Sequence, residues 1–397
     1  MAVEGRDVLV VGGGIAGLAA AAALARRGAR VRVLEQAPEL AEVGAGLQIG
    51  PNGVAVLEAL GLGEAAARRA SAPEAIELTD RGGRLVARVP MGAAALARHG
   101  RPYWQFHRAD LLDLLEGAAR RAGAEILLGA RVARFETGDG APRLRTEAGE
   151  RFEADLVVAA DGARSRARSA LFGGGAPRYA GAVAWRALVP AERLARPHPP
   201  VTRLAMGPRR HVVSYPLRRG TLVNLVAIEE RERRADEGWM NEGDPAELRA
   251  GCAGWAPEVT DLLGAVDRVF LWGLYDHEPL AEWQRDGVVM IGDACHPMLP
   301  FLAQGAGMGL EDAHVLACEL DARTDRDAAL AAFVARRRAR AERVQRAAAR
   351  NGRIYHLGAP GIRRAAHLGL ALMSRLAPGR MLGRFDWLYG EDVTREG

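Results

Sequence analysis

The sequence predicts an α/β fold in which a largely parallel, nucleotide-binding sheet is joined to a smaller, mostly antiparallel sheet. Three observations lead to this prediction. Residues 7–35 read as a strand–turn–helix–strand unit, two later buried strands end in pairs of an acidic residue and a glycine, and residues 173–276 change to alternating strands. With 397 residues, the chain is long enough for two domains.

The unit at residues 7–35 begins with a short, β-branched apolar run at residues 8–11, as expected of a strand buried on both faces. A G-x-G-x-x-G pattern follows at Gly12, Gly14 and Gly17. The first glycine permits a tight turn, the second lets the backbone approach a pyrophosphate, and the third lets the helix pack against the strand. An alanine-rich helix and a second strand lead to Glu35, whose carboxylate can bind adenosine ribose hydroxyls. These features predict a Rossmann-type dinucleotide site; the alternative is a Gly-rich turn without a ligand.

Two further strand ends carry groups that suit a nucleotide. The buried strand at 156–160 runs into Asp161 and Gly162, and the buried strand at 287–291 runs into Gly292 and Asp293. An acid, a glycine and a helix N-terminus are the groups needed to hold ribose and phosphate. We therefore expect both strand ends at the nucleotide site.

The segment after Asp293 is an apolar loop that Pro297 and Pro300 stiffen. A helix then begins at Gly305, Ala306 and Gly307. Free N–H groups and the helix dipole favour an anion or an electron-rich oxygen at such a position.

Two earlier segments are more ambiguous. The Gly-rich turn at 42–48, followed by a helix at 54–60, can bring bare backbone against a flat ring, but it also suits an ordinary loop. Arg108 lies in the first turn of an amphipathic helix, where it can reach a phosphate or ribityl oxygen or be a simple surface arginine.

The second sheet is predicted from a hairpin at 76–89 and alternating strands between 182 and 274, interrupted by a helical segment at 245–257. His211 and Tyr215 lie four residues apart on one strand and hence on one face, either as packing partners or as an acid/base pair. The predicted nucleotide domain is discontinuous and comprises residues 1–70, 101–172 and 277–340. The predicted sheet domain comprises residues 71–100 and 173–276, and the C-terminal helices comprise residues 341–397.

Composition narrows the function. Cys252, Cys295 and Cys318 lie far apart, which fits a reducing cytoplasm and argues against a disulfide framework or a metal site. The chain has no signal-peptide pattern and no stretch as long as a membrane span. All 54 basic residues are arginine, so mechanisms that need a lysine are excluded. The densest basic run, 336–340, is expected to be a solvated helix face, and we expect no nucleic-acid partner.

The chain resembles the single-component flavoprotein aromatic hydroxylases in three motifs and in their order along the sequence. These motifs are the glycine pattern with Glu35, then Asp161-Gly162, then Gly292-Asp293. The resemblance extends over nearly the whole chain and is most specific in GDACHPM at 292–298 and AQGAGMGLEDA at 303–313. It points to the salicylate and 3-hydroxybenzoate hydroxylases and the 6-hydroxynicotinate monooxygenase. The resemblance implies bound FAD, with NADH or NADPH as a transient co-substrate and O₂ as the oxidant.

By the same resemblance, Glu35 holds the adenosine ribose, Arg108 and Asp293 hold the pyrophosphate and ribityl region, and the helix start at 305–307 faces the flavin pyrimidine edge. The complete set of implied FAD-binding residues is Gly12, Gly14, Ala16, Gly17, Glu35, Gln36, Gly46, Leu47, Arg108, Val132, Asp161, Asp293, Gly305, Ala306 and Gly307.

The reaction that the resemblance implies is oxygen delivery from a flavin C4a-hydroperoxide to a ring activated by a hydroxyl or amino group. His211 with Tyr215 would remove the ring proton, and the loop from Pro297 to Phe301 would keep the site dry. Gln48, Pro300 and Phe301 would contact the substrate, and all three depart from the related enzymes. We therefore expect a substrate different from either 6-hydroxynicotinate or 3-hydroxybenzoate.

Two other classes of flavoprotein need residues that this chain lacks. A flavin halogenase needs a catalytic lysine and usually a W-x-W motif, and the chain has neither. A disulfide reductase carries a redox cysteine pair soon after its second strand, whereas the first cysteine of this chain is Cys252. A flavin-dependent reductase, a hydroxylase of larger polycyclic phenols and a non-enzymatic FAD-binding regulator remain open. The helical, amphipathic residues 365–382 and the segment 385–389 are expected to pack at the domain junction of a monomer or homodimer.

Overall fold

The computed structural model describes residues 2–40, 45–138, 140–232 and 241–395. Its strands are β1 (Asp7–Val11), β2 (Arg30–Leu34), β3 (Gly46–Ile49), β4 (Ala75–Asp80), β5 (Leu85–Pro90), β6 (Trp104–His107), β7 (Glu125–Leu127), β8 (Val132–Glu136), β9 (Arg143–Thr146), β10 (Arg151–Glu153), β11 (Leu156–Ala159), β12 (Arg178–Pro190), β13 (Val201–Gly207), β14 (Arg210–Leu217), β15 (Leu222–Glu230), β16 (Glu242–Gly243), β17 (Val269–Asp276), β18 (Gln284–Arg285) and β19 (Val288–Met290).

The helices are α1 (Ile15–Ala25), α2 (Pro51–Ala59), α3 (Gly63–Arg69), α4 (Ala93–His99), α5 (Arg108–Arg121), α6 (Arg166–Leu171), α7 (Pro245–Gly251), α8 (Pro257–Gly264), α9 (Gly305–Ala322), α10 (Arg326–Tyr355), α11 (Pro360–Leu376), α12 (Pro378–Gly383) and α13 (Asp386–Tyr389). Short 3-10 turns include Gly292–Ala294 and Pro300–Leu302. Within the described ranges, no helix combines the length and the apolar character needed to cross a membrane.

A six-stranded sheet carries the nucleotide motifs. Its order is β18-β19-β11-β1-β2-β7, and every pair is parallel except β18 with β19. The central strands β1 and β11 are buried almost throughout, because apolar β-branched side chains fill both faces. Helix α1 packs beside α5 and α9 over this sheet. The predicted α/β fold is confirmed.

The eight-stranded sheet has the order β16-β17-β12-β15-β14-β13-β4-β5. It is antiparallel except where β13 pairs with β4, more than a hundred residues earlier in the chain. The predicted hairpin is the pair β4–β5, and it extends the sheet built from the later strands. A two-stranded ribbon, β3 with β6, and a three-stranded sheet, β8 to β10, complete the strands of the described segments.

The C-terminal helices differ in detail from the prediction. The helix expected over 365–382 is divided into α11 and α12 at Ala377, because Pro378 cannot continue the hydrogen-bond ladder of α11. Helices α11 and α12 lie against β5, and α13 contacts α2. Of the helical segment expected at 245–257, only α7 is helical; the chain leaves the helix at Cys252, and a separate helix, α8, begins at Pro257.

The expectation that the basic run at 336–340 is a solvated helix face is wrong for two of its arginines. Arg337 and Arg340 are 1% and 9% exposed. Arg337 donates to Asp312 Oδ1 (2.8 Å) and Glu311 Oε2 (2.6 Å), and Arg340 donates to Glu311 Oε2 (2.7 Å). Both carboxylates are fully buried on α9, so they require cationic partners, and α10 supplies them.

Candidate functional site

Two adjoining cavities lie between the two large sheets. The larger cavity has a volume of about 800 Å³ and the smaller one about 460 Å³. Residues that line both are Gly14, Ala160, Gly162, Arg186, Asp293, Met298, Leu299 and Pro300. The strand ends and the apolar loop that the sequence singled out therefore form the wall common to the two spaces.

The three motif glycines have distinct geometric roles. Gly12 has φ +106°, and a Cβ there would stand 2.4 Å from the carbonyl oxygen of Ala160. A Cβ on Gly17 would stand 2.0 Å from the carbonyl oxygen of Gly12. A Cβ on Gly14 would meet no atom within 4 Å, and Gly14 lines both cavities. The first and third glycines are thus needed for packing, whereas the second borders open space that suits a pyrophosphate.

Glu35 lies at the end of β2 and lines the larger cavity. Its Oε2 accepts a hydrogen bond from the Gly13 N–H (2.6 Å), and its Oε1 accepts one from the Ala37 N–H (2.8 Å). These bonds fix the carboxylate where a ribose hydroxyl can reach it. Gln36 and Val132 line the same cavity, and Gln36 Oε1 accepts from Arg131 Nε (3.0 Å).

Asp161 and Asp293 lie at the ends of β11 and β19, as predicted. Burial raises the pKa of the Asp161 carboxyl, although its Oδ2 accepts the backbone N–H of Arg166 at 2.8 Å. Burial likewise raises the pKa of Asp293, against the opposing charges of His296 and Arg108. Asp293 is exposed at the wall that the two cavities share, and it lines both of them.

The N-terminus of α9 opens onto the smaller cavity at Gly305 and Ala306. Gln304 precedes the helix, and its side chain does not cap the first N–H groups of α9. Gln304 is 1% exposed, and among the described residues its Nε2 has no hydrogen-bond partner. A ligand edge with both acceptors and donors, such as the flavin pyrimidine, fits this arrangement.

Some of the remaining predicted cofactor residues line a cavity and others do not. Ala16, Gly46, Leu47 and Arg108 line the smaller cavity, whereas Gly17 and Gly307 line neither and serve packing. Burial lowers the pKa of the Arg108 guanidinium, and Asp293 opposes this effect. Part of the predicted Gly-rich turn, residues 42–44, lies outside the described residues. Pro297, predicted to be catalytic, lines the larger cavity only.

All predicted substrate residues line the smaller cavity: Gln48, His211, Tyr215, Pro300 and Phe301. His211 is 2% exposed, and its Nδ1 lies 2.7 Å from Nε2 of His356. Burial, together with His356, holds the pKa of His211 well below its usual value. Burial raises the pKa of Tyr215, while the positive charge of Arg186 opposes this rise. The cavity therefore presents a neutral imidazole and a protonated phenol.

Several lining residues carry no motif and were missed by sequence reasoning. Tyr103 donates to Gln48 Oε1 at 2.7 Å, and helices α10 and α13 contribute Asn351, Tyr355 and Tyr389. Arg186 lies on β12 beside both cavities, 4.6 Å from the Trp272 ring. Burial lowers the pKa of Arg186 to about 10. The one sequence signal that could have identified Arg186 is its charge within the apolar run at 182–189.

Comparison with known proteins places this geometry in context. A family model described as an FAD binding domain matches residues 6–348. The 3-hydroxybenzoate 6-hydroxylase of Polaromonas naphthalenivorans is 37% identical, over 97% of this chain and 96% of the relative. The 6-hydroxynicotinate 3-monooxygenase of Bordetella bronchiseptica is 35% identical, over 85% of this chain and 89% of the relative.

Among solved structures, Klebsiella pneumoniae HpxO in complex with FAD and uric acid superimposes with a TM-score of 0.83 and 27% identity, over 95% of each chain. The glycine cradle at Gly14 and the uncapped start of α9 fit FAD on geometry alone. The relatives, the FAD-binding family match and the site agree with the resemblance seen in the sequence. The chain belongs to the FAD-dependent aromatic hydroxylases, which are flavin monooxygenases.

Proposed function

We propose that this protein uses NADH or NADPH to hydroxylate a small ring acid of the hydroxybenzoate or salicylate type. The observation that carries the proposal is a neutral, buried His211 in a cavity of about 460 Å³ that adjoins the predicted flavin edge at Gly305 and Ala306. A ring of this size fits that volume. Both relatives named above act, by their names, on a ring that bears a hydroxyl and a carboxylate.

In this proposal FAD, once reduced, supplies an oxygen atom that originates in O₂, and the protein supplies orientation and proton transfer. His211 accepts the proton of the ring hydroxyl, which makes the ring a better nucleophile. Tyr215 stays protonated and donates a hydrogen bond to the ring acid. Because the two residues lie about 13 Å apart along β14, they are suited to opposite ends of the ring rather than to one hydroxyl.

The loop around Pro300 and Phe301 closes the smaller cavity. The Phe301 ring lies 5.7 Å from the His211 ring, and a Cβ on Gly352 of α10 would stand 2.7 Å from Phe301. Tight packing on α10 therefore fixes the position of Phe301. An apolar wall at this position keeps water away from the reacting ring.

The testing experiment follows oxidation of NADH and NADPH together with oxygen uptake by the FAD-loaded protein. The panel contains hydroxybenzoates, hydroxypyridine carboxylates and larger polycyclic phenols. We expect a small ring acid to accelerate NAD(P)H oxidation and to yield a hydroxylated product. Turnover with polycyclic phenols alone would show that the substrates are polycyclic phenols and not small ring acids. NAD(P)H oxidation with a non-aromatic acceptor and without oxygen uptake would identify a reductase.

We further propose a cytoplasmic enzyme that is a monomer or homodimer and does not bind nucleic acid. All three cysteines are free thiols, and Cys252 and Cys295 are buried, which suits a reducing compartment. The division into an FAD domain, a sheet domain and C-terminal helices is proposed with the boundaries stated above. Size-exclusion chromatography and limited proteolysis test the assembly and the boundaries.

A further inference from the structure

Three side chains form a continuous hydrogen-bonded path from the smaller cavity to the surface. His211 Nδ1 lies 2.7 Å from His356 Nε2, and His356 Nδ1 lies 3.2 Å from Glu230 Oε1. His211 lines the cavity and His356 is 8% exposed, whereas the Glu230 side chain is 38% exposed. The three residues come from β14, from the C-terminal cap of α10 and from the end of β15.

The carboxylate at the outer end sets the direction of both hydrogen bonds. A carboxylate accepts hydrogen bonds, so the His356 Nδ1–H donates to Glu230. A neutral His356 then has a bare Nε2, which accepts the Nδ1–H of His211. A neutral His211 in turn has a bare Nε2, for which no hydrogen bond is found among the described residues. The path therefore leaves a basic nitrogen inside the cavity.

The groups around the path keep both imidazoles neutral. Burial lowers the pKa of His356, Glu230 opposes this effect, and Arg210 adds to it. Arg209 pairs with the outer oxygen of Glu230 at 3.1 Å, and Arg210 pairs with Glu229. Against His211, the described residues place the rings of Phe301 and Tyr355 and no carboxylate. A proton taken up by His211 would thus be a buried, uncompensated charge, which is costly to retain.

We propose that His211, His356 and Glu230 form a proton path that carries the proton of the ring hydroxyl from the cavity to solvent, and this proposal rests on the proposed function. The proton binds Nε2 of His211, whose Nδ1 proton passes to Nε2 of His356. The Nδ1 proton of His356 passes to Glu230 and then to water. One proton enters and one leaves, so no charge accumulates inside. His356 and Glu230 are positioning residues, since neither has to touch the ring.

The first test needs no substrate. Nitrogen NMR of the FAD-loaded protein with ¹⁵N-labelled histidine should show Nδ1 protonated and Nε2 bare in both His211 and His356. In the Glu230→Gln variant, the His356 signals should shift because its acceptor is changed. The opposite tautomer at either histidine overturns the path, whether or not any ring acid proves to be a substrate.

The second test measures proton release with an indicator dye when oxidised enzyme is mixed with the ring acid that the panel identifies. His356→Gln and Glu230→Gln should slow release by about 100-fold while FAD content stays at the wild-type value. Added imidazole should restore release in His356→Gly. Glu232→Gln, an exposed carboxylate two residues beyond the path, is the matched control and should release protons at the wild-type rate.

The outcomes separate the path from the proposed function. Hydroxylation by the wild type with unchanged proton release in Glu230→Gln overturns the path and leaves the function standing. Equal slowing in Glu232→Gln also overturns it, because the effect would then be one of general surface charge. If His356→Gln does not fold, Glu230→Gln still decides, since Glu230 lies at the surface.

Discussion

Gly14 and Gly17 are three residues apart in one turn, yet a methyl group should have different effects at the two positions. Gly14→Ala is expected to keep the apoprotein folded but to weaken FAD binding by about 10- to 100-fold, because the methyl group occupies ligand space. Gly17→Ala is expected to lower the free energy of unfolding by about 1–3 kcal/mol, because the methyl group clashes with the Gly12 carbonyl. Flavin absorbance per chain and urea unfolding of the apoprotein distinguish the two; equal stability losses would contradict the assignment.

His211 is the residue on which the proposed chemistry depends most. His211→Gln should lower kcat by about 10²- to 10⁴-fold with little change in FAD content. Because the pKa of His211 is held well below its usual value of about 6.5, its base form persists as the pH falls through that value. Wild-type kcat should therefore decline only at lower pH.

The control for this variant is His314→Gln, a buried histidine that lines neither cavity. Its kcat and pH profile should match the wild type. Tyr215→Phe completes the set, since loss of one hydroxyl should raise KM for the ring acid more than it lowers kcat. Wild-type turnover and pH profile in both His211→Gln and Tyr215→Phe would show that neither residue activates the ring.

At the scale of elements, the pairing of α9 with α10 depends on buried charges. Arg337→Met leaves Glu311 and Asp312 short of a cation, so the free energy of unfolding should fall by about 3–5 kcal/mol. The control is Arg338→Met, at the neighbouring position on α10, where the arginine side chain is 47% exposed. This substitution should lower the free energy of unfolding by less than about 1 kcal/mol. Urea unfolding of both variants is the measurement. Similar losses would mean that the buried network adds nothing beyond a surface ion pair.

The same elements show what the sequence could and could not predict. The strand–turn–helix unit was predictable because its glycines, apolar run and Glu35 are all local in sequence. The buried role of Arg337 was not, because its partners precede it by about 25 residues and a run of arginines on a helix usually faces solvent. Local pattern also could not reveal that His211 meets His356, 145 positions away.

Among the cavity residues, too, those in or beside a local motif were predictable and those brought in from distant parts of the chain were not. Gln48, Pro300 and Phe301 were predicted because a family motif contains or adjoins them. Tyr103 and the lining residues of α10 to α13 were not, since nothing in an amphipathic helix specifies which distant strand it will face. Proline chemistry predicts the break at Pro378, whereas the amphipathic pattern over 365–382 predicts one continuous helix; the structure has the break.

For the whole molecule, buried histidines make stability depend on pH. Burial lowers the pKa of eight of the nine histidines, and that of His277 and His314 falls to about 4. Below the unfolded pKa of about 6.5, the unfolded chain binds more protons than the folded one, so the free energy of unfolding falls as pH decreases. Denaturation at about pH 7.5 and about pH 5.5 should show this loss.

His314→Gln isolates one contribution to that loss. His314 is buried near Arg27 and Arg336, so it stays neutral in the folded protein across this pH range. Replacing it should reduce the difference in unfolding free energy between the two pH values by about 1 kcal/mol. A variant with the wild-type difference would mean that His314 is protonated equally in both states.

The two cavities draw on different parts of the chain. Among the described residues, the larger cavity takes none from beyond Pro300, whereas the smaller one is walled on one side by α10 to α13, through residues such as Asn351, Tyr355, Met381 and Tyr389. Substitutions in this last portion can reshape the space for the ring without touching the glycine turn or Glu35. New substrate preferences can therefore arise in descendants of this enzyme through changes confined to the lining residues of α10 to α13, while the residues that hold the cofactor are inherited unaltered.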